Sequence, residues 1–338
     1  MKIAFIGQLF KGSTSLDRVH SLQELGHEVI GIDTSAFTST GPRVEMSVAH
    51  RLNWGRPICR INKYIETMTP QAGQDLDLLW FDKAKWVWPE TISKLKEKTG
   101  AQVLHFTPDP HFLNNRSRHF NRSLPLFDYV FTTKRYELEH YQRFGAKHIA
   151  LIDQGFAPKC HFPRILTSAE WDSYKSDITF IGHGEAWYVE ILSALVRAGL
   201  RTKIWGPAWH RHLGRPEIRA AYQGGPLWGD DYAKALSAAK IGLGLLSKLA
   251  SDQSTTRSFE IPACGTLLLA ERTEEHENLY RDKIEAAFFS TADEAIALAK
   301  SFFSDEQQRL RVAKAGHERC KNAYSNNDRM RQLLAQLS

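Results

Sequence analysis

Residues 251–265 read Ser-Asp-Gln-Ser-Thr-Thr-Arg-Ser-Phe-Glu-Ile-Pro-Ala-Cys-Gly. An apolar run precedes them at 241–246 and another follows at 266–270. The pattern predicts a strand, a polar loop opening into a short helix, a glycine stop and a strand. A helix that starts after a strand in an α/β domain is a natural anion site, because its free N–H groups point outward and its dipole favours negative charge. Arg257 adds a cation there. Glu260, one turn in, can accept two hydrogen bonds from a vicinal diol such as a ribose. A phosphate site, a cation and a diol-binding carboxylate this close together suggest a sugar nucleotide. Thr255 and Thr256 either cap the helix or donate to phosphate. Arg257 either meets a diphosphate or pairs with a nearby carboxylate such as Asp252. Pro262 should kink or shorten the helix.

Further candidates follow other strands. Gly182-His183-Gly184 comes after an apolar run, and glycines let a backbone approach a phosphate closely. Gly206-Pro207-Ala208-Trp209 and Leu227-Trp228-Gly229 could flank a base, with Trp209 or Trp228 stacking on it or packing in the core. His105 and Asp109 sit at the carboxyl end of a strand, where sites form in such sheets; His111 and His119 are nearby. Asp109 is either a general base or a turn aspartate between two prolines.

These residues need a scaffold, and the apolar pattern supplies one. Strands are expected at 2–6, 28–32, 76–81, 102–107, 129–133 and 148–152. Leu16, Val19, Leu22 and Leu25 recur at helical spacing and stop at Gly26; further helices are expected at 89–99 and 136–144. Residues 157–175 are irregular and carry Pro158 and Pro163, which marks a domain border. The pattern then restarts, with strands at 178–181, 202–205, 241–246 and 266–270 and helices at 187–198, 230–239, 292–303 and 305–324. Such alternation implies an α/β fold with mainly parallel sheets and helices on both faces. The expected domains are 1–165 and 166–325, both Rossmann-like. Residues 326–338 are expected to return to the first domain, since Met330, Leu333, Leu334 and Leu337 form an apolar helical face.

The chain has 338 residues, enough for two such domains. It is 42% hydrophobic and 24% charged, which excludes a disordered chain. The net charge of +6 fits anionic substrates, loose contact with an acidic membrane surface, or simply solvated lysine and arginine. No block of like charges forms a nucleic-acid arm. No apolar stretch approaches the roughly 18 residues of a membrane span, and the N-terminus reads as a strand rather than a signal peptide. Cys59, Cys160, Cys264 and Cys320 lie far apart and form no metal-type pair, as expected of reduced thiols in a cytoplasmic protein.

Taken in order, these pieces resemble the GT-B fold glycosyltransferases, in particular the spore-maturation CgeB-like group. The resemblance covers nearly the whole chain. It rests on Leu25-Gly26-His27-Glu28-Val29, Pro108-Asp109-Pro110 and the run 127–134 in the first half. In the second half it rests on Phe180-Ile181-Gly182, Ile204-Trp205-Gly206, the run 239–243 and, most specifically, 257–265; Asn278-Leu279-Tyr280 and Ile284-Glu285-Ala286 also fit. It implies two Rossmann-like domains facing across a cleft. The C-terminal domain would bind a nucleotide diphosphate sugar (UDP-, GDP- or TDP-linked) and the N-terminal domain most of a glycan, lipid or protein acceptor. It implies no catalytic metal, and the Asp75-Leu76-Asp77 triplet sits before a strand of the wrong half for a metal-dependent donor motif.

The resemblance assigns Glu260 to the ribose hydroxyls and Arg257 to the diphosphate. Retaining members pair two glutamates at the spacing of Asp252 and Glu260, the first touching the donor sugar. The loop at 7–13, with Gly12 and Ser13, resembles the one that approaches the donor phosphates from the acceptor side. It is not Gly-x-Gly-x-x-Gly, which argues against a nicotinamide enzyme. Tyr188 stands near where related chains carry Arg, and Lys248 is a candidate for the missing cation. If the reaction inverts, Asp109 would be the base; the Asp252–Glu260 pair leans toward retention. The expected activity is metal-independent sugar transfer to a hydroxyl, and the rival is a non-catalytic nucleotide- or glycan-binding scaffold of the same fold.

Overall fold

The computed structural model describes residues 1–39, 43–73, 75–113 and 115–337. The chain divides into two compact units, Met1–Asp153 with Asn326–Ser338, and Gln154–Ser325. Each is built on one parallel six-stranded sheet.

The first unit contains β1 (Lys2–Gly7), β2 (Glu28–Asp33), β3 (Leu78–Asp82), β4 (Gln102–Thr107), β5 (Tyr129–Thr132) and β6 (His148–Leu151). Their spatial order is β2-β1-β3-β4-β5-β6, all parallel. The central strands are almost wholly apolar because helices cover both faces. Phe5 of β1 lies opposite Trp80 of β3, and their rings stack 5.3 Å apart. The helices Ser35–Ser39, Arg43–Leu52 and Arg56–Met68 fill the stretch between β2 and β3, where the sequence shows no long apolar run.

The second unit contains β7 (Ser176–Ile181), β8 (Thr202–Trp205), β9 (Tyr222–Gly224), β10 (Ala239–Gly244), β11 (Leu267–Glu271) and β12 (Ala287–Phe289). The order is β12-β11-β10-β7-β8-β9, again parallel. Strands β9 and β12 are three residues each, too short to leave a periodic signature.

The division at 153/154 falls before the expected border of 165/166. The reason is packing. Phe156 is buried in the second unit's core, its N–H bonds the Tyr324 carbonyl, and Arg164 pairs with Asp230 at 3.1 Å. The closing helix Asn326–Leu334 packs in the first unit on the helix Thr14–Glu24, with Met330 and Leu333 buried beside Val19 and Leu22. All four cysteines are free thiols. Among the described residues no helix is long and apolar enough to cross a membrane.

Candidate functional site

In the second sheet the chain runs outward from β7 in one direction through β8 and β9, and in the other through β10, β11 and β12. Crossovers leave β7 and β10 on opposite sides, so a crevice opens at their carboxyl ends; this is where doubly wound sheets bind ligands. Arg257 lies in that crevice. Its Nη2 donates to the Leu245 carbonyl at 2.9 Å, its Nη1 to the Ile181 carbonyl at 3.5 Å, and its guanidinium sits 5.3 Å from the Phe180 ring centre. The buried Nε has no hydrogen-bond partner among the described residues. A Cβ on Gly182 would come within 3.0 Å of Nη1, so glycine there makes room for the cation.

The helix carrying Arg257 runs Arg257–Ala263, with Pro262 in its last turn, short as Pro262 implies. Neither threonine caps it. The Thr256 side chain makes no cap bond, and Thr255 Oγ1 is buried without a hydrogen-bond partner among the described residues. The backbone closes the turn instead: Ser258 N–H bonds the Thr255 carbonyl, and Phe259 and Glu260 N–H bond that of Thr256. These donors are therefore spent, and the open helix start expected from sequence is narrower than the pattern implies. A relay holds the turn in place. Thr255 N–H donates to Ser258 Oγ, which lies 2.8 Å from His276 Nε2, while His276 Nδ1 lies 2.6 Å from the Glu271 carbonyl. The carbonyl can only accept, so Nδ1 carries the proton and Ser258 Oγ donates to Nε2. Burial lowers the pKa of His276 and keeps this tautomer neutral.

Glu260 is 9% exposed, unlike an ordinary surface helix glutamate. Its Oε2 accepts from the Tyr232 hydroxyl at 2.5 Å. Its Oε1 lies 3.8 Å from His161 Nε2. His161 Nδ1 accepts from the Ala157 N–H, so Nε2–H is the proton that faces the carboxylate. Burial, then the Glu260 charge, raises the pKa of Tyr232. One carboxylate oxygen is thus anchored and the other is left within reach of a second donor. Tyr232 and His161 carry no motif signal; both reach Glu260 from distant parts of the chain.

Other residues of the second unit have different surroundings. Asp252 is half-buried, its N–H on the Ser247 carbonyl. Burial, followed by the charges of Glu185, Asp252 and Glu271, outweighs Arg257 and raises the pKa of the buried Tyr188 hydroxyl. Lys248 forms an ion pair with Glu271, and its Nζ lies 5.4 Å from the Trp187 ring centre. The Gly182 and Gly184 N–H groups are bonded to the Trp205 and Pro207 carbonyls, so they are not free phosphate donors; His183 between them is exposed. Gly206 has φ 139°, and a Cβ there would fall 2.0 Å from the Gly182 carbonyl oxygen, so its role is close backbone approach. Trp209 is fully buried and donates from Nε1 to the Gly182 carbonyl at 2.9 Å. With no ring face accessible, it braces the Gly182 loop and offers no stacking surface. Trp228 is 48% exposed and keeps one.

In the first unit the corresponding switch point lies between β1 and β3. Gly12 has φ 88°, and Ser13 caps the helix Thr14–Glu24 by accepting from the Leu16 N–H while donating to the Gln8 carbonyl, which commits its hydroxyl. Arg18 makes a two-pronged bond to Asp82, Nε to Oδ2 at 2.8 Å and Nη2 to Oδ1 at 2.9 Å, with both side chains buried. Asp109 pairs with Lys83 at 2.9 Å. Burial pulls its pKa up, but Lys83, Lys134 and Arg18 together hold it below the ordinary carboxylate value. A carboxylate so stabilised is a weaker proton acceptor, and of the two readings of Asp109 the ion pair with Lys83 favours the turn aspartate.

The chain aligns over its full length with a sucrose-phosphate synthase from Thermosynechococcus elongatus, at 14% identity and a TM-score of 0.70, covering 99% of that chain. The fold is GT-B. A second GT-B structure, HepE of Anabaena in complex with UDP-glucose, aligns at 12% identity and a TM-score of 0.68, over 100% of this chain and 99% of that one. A third, an α-glucosyltransferase in complex with UDP-glucose and DNA containing an abasic site, aligns at 14% identity and a TM-score of 0.67, over 98% of each. Residues 186–335, which include Arg257 and Glu260, match a family model described as glycosyl transferase-like. No curated protein sequence matches.

Proposed function

We propose that this protein is a metal-independent glycosyltransferase of the CgeB-like kind, moving a sugar from a nucleotide diphosphate sugar to a hydroxyl. The observation that carries this reading is the placement of Arg257 and Glu260 one turn apart, the first in the β7/β10 crevice, within the stretch that matches the glycosyl transferase-like model. Arg257 would face the diphosphate, and Glu260 Oε1 with the His161 Nε2–H would hold the ribose diol. A bond forms between the acceptor oxygen and the anomeric carbon, the bond from that carbon to the phosphate oxygen breaks, and the acceptor proton passes to the departing diphosphate oxygen. Catalysis would come from positioning and from stabilising the departing diphosphate. UDP-sugars are the first donors to try, because two GT-B neighbours hold UDP-glucose. The low basicity of Asp109 favours retention over inversion, and on that reading Asp252 would be the acid that meets the donor sugar.

The test is release of nucleotide diphosphate from UDP-glucose, GDP-mannose and TDP-glucose in excess EDTA, since a donor site leaks slowly to water. Release that survives EDTA supports the reading. Release abolished by EDTA and restored by manganese or magnesium removes metal independence. A second reading, a non-catalytic binder, is favoured by the internal pairing of Lys248 and of the Gly182 and Gly184 N–H groups. Tight nucleotide-sugar binding without any turnover would select it.

A further inference from the structure

The switch point of the first sheet holds a cavity of about 220 Å³, opening at the carboxyl ends of β1, β3 and β4. Drug-sized pockets start at about 300 Å³, so this one suits a single sugar ring or a small ion. Most charges around it are already compensated. Asp82 is locked by Arg18, and Lys83 by Asp109. Lys85 is different. It is half-buried, its Nζ reaches only 3.5 Å from Asn115 Oδ1 and 5.8 Å from the Trp86 ring centre, and among the described residues no carboxylate pairs with it. Burial without a counter-charge lowers its pKa. Taking a cation partly out of water with no anion beside it is unfavourable, so an anionic ligand in the cavity would be favoured.

Two more features point to the same cavity. His111 lines it at 4% exposure, and its Nε2 is buried with no hydrogen-bond partner among the described residues. Burial lowers its pKa to about 2, so it stays neutral and is suited to a hydroxyl rather than to an anion. Lys83 has φ 60°, a left-handed conformation that a non-glycine residue adopts at some cost and that clusters at binding sites. The turn it makes carries Lys85 N–H back to the Lys83 carbonyl at 2.7 Å and so sets the Lys85 side chain at the cavity wall.

We propose that this cavity is an acceptor subsite for a sugar that bears an oxyanion, phosphate or carboxylate, with Lys85 taking the anion and His111 a ring hydroxyl. The assignment rests on the glycosyltransferase reading for the word acceptor, but its binding chemistry stands on the cavity alone.

The experiment is calorimetric titration of the full chain with mannose 6-phosphate, galacturonate and neutral methyl glucoside, each with and without saturating UDP, for wild type, Lys85→Met and Lys85→Arg. The proposal expects one of the two anionic sugars to bind and the neutral one to bind at least about tenfold more weakly, the loss of one charge-assisted hydrogen bond. The phosphate and carboxylate arms identify which oxyanion is preferred. Lys85→Met should lose about tenfold for the anionic sugar, Lys85→Arg should recover most of it, and UDP affinity should be unchanged in both, which also reports that the chain is folded. Equal binding of the anionic sugar by wild type and Lys85→Met, equal binding of charged and neutral sugars, no binding of either anionic sugar, or displacement of the anionic sugar by UDP each overturns it. Absence of UDP binding in every protein would count against the donor reading and leave the Lys85 comparison decisive for the cavity.

Discussion

The Tyr232 hydroxyl donates to Glu260 Oε2 at 2.5 Å, and this bond turns Oε1 toward the His161 Nε2–H, 3.8 Å away. A carboxylate held at one oxygen and open at the other is pre-oriented for a diol. Glu260→Ala should therefore weaken nucleotide-sugar binding by about tenfold to a hundredfold, the range for loss of hydrogen bonds to a charged group. Tyr232→Phe should cost less, since it removes the anchor and leaves the charge. Calorimetry on both variants is the check. Equal affinity in Glu260→Ala and wild type would remove Glu260 from the site.

Arg257 is expected to act on phosphate and not on the nucleoside. Arg257→Met keeps an unbranched apolar stem and removes the guanidinium with its bonds to the Leu245 and Ile181 carbonyls. It should reduce UDP affinity by about tenfold while changing uridine affinity little. If the UDP-to-uridine ratio is the same in mutant and wild type, the residue is structural and the phosphate assignment is wrong.

The Arg18–Asp82 pair is buried on both sides. Removing one partner leaves an uncompensated charge, so Asp82→Ala should destabilise the first unit by about 3–5 kcal/mol. The double variant Arg18→Met, Asp82→Leu should cost clearly less, because neither charge is then buried. Denaturant titration of the three proteins reads the difference. A double variant as destabilised as Asp82→Ala would contradict this account.

Acid should weaken the first unit through His105. It is buried among the Phe120 and Phe127 rings, and burial, only partly opposed by Asp82, lowers its pKa to about 3. Above the ordinary value of 6.5 both folded and unfolded forms are neutral and stability does not depend on this group. Below it the unfolded chain binds a proton that the folded one refuses. The folding constant should then fall by roughly tenfold per pH unit for this residue alone, until the folded pKa is reached. His111 adds a second contribution of the same sign. Stability of His105→Phe between pH 6.5 and pH 4 should show a shallower slope than wild type; identical slopes would mean that His105 does not titrate on unfolding.

The closing helix should be needed by the first unit. Leu333 is fully buried against the cluster of Val19 and Leu22. Leu333→Ala should cost about 2–5 kcal/mol. An unchanged unfolding midpoint would show that the helix adds nothing to that core.

Much of the fold was legible because its signals are local. Apolar runs such as 2–6 and 241–246 form strands, the latter running Ala239–Gly244, and Gly26 or Gly199 ends a helix by its own backbone freedom. The order of strands and helices along the chain therefore determined two parallel α/β sheets, and the spacing of Met330 and Leu333 determined an apolar helical face. Arg257 and Glu260 stood out for the same reason: their spacing on one short helix is a property of consecutive residues. What surrounds them is not. Tyr232 and His161 reach Glu260 from 28 and 99 positions away along the chain, and only folding brings them together. The tertiary structure also decided that Trp209 braces a loop, that Lys248 is paired with Glu271, that Thr255 and Thr256 do not cap, and that among the described residues no carboxylate pairs with Lys85. Each of these outcomes depends on which polar group finds a partner across the sheet. That competition is settled by packing in three dimensions, where a buried donor or charge must be satisfied, and no sequence period encodes it.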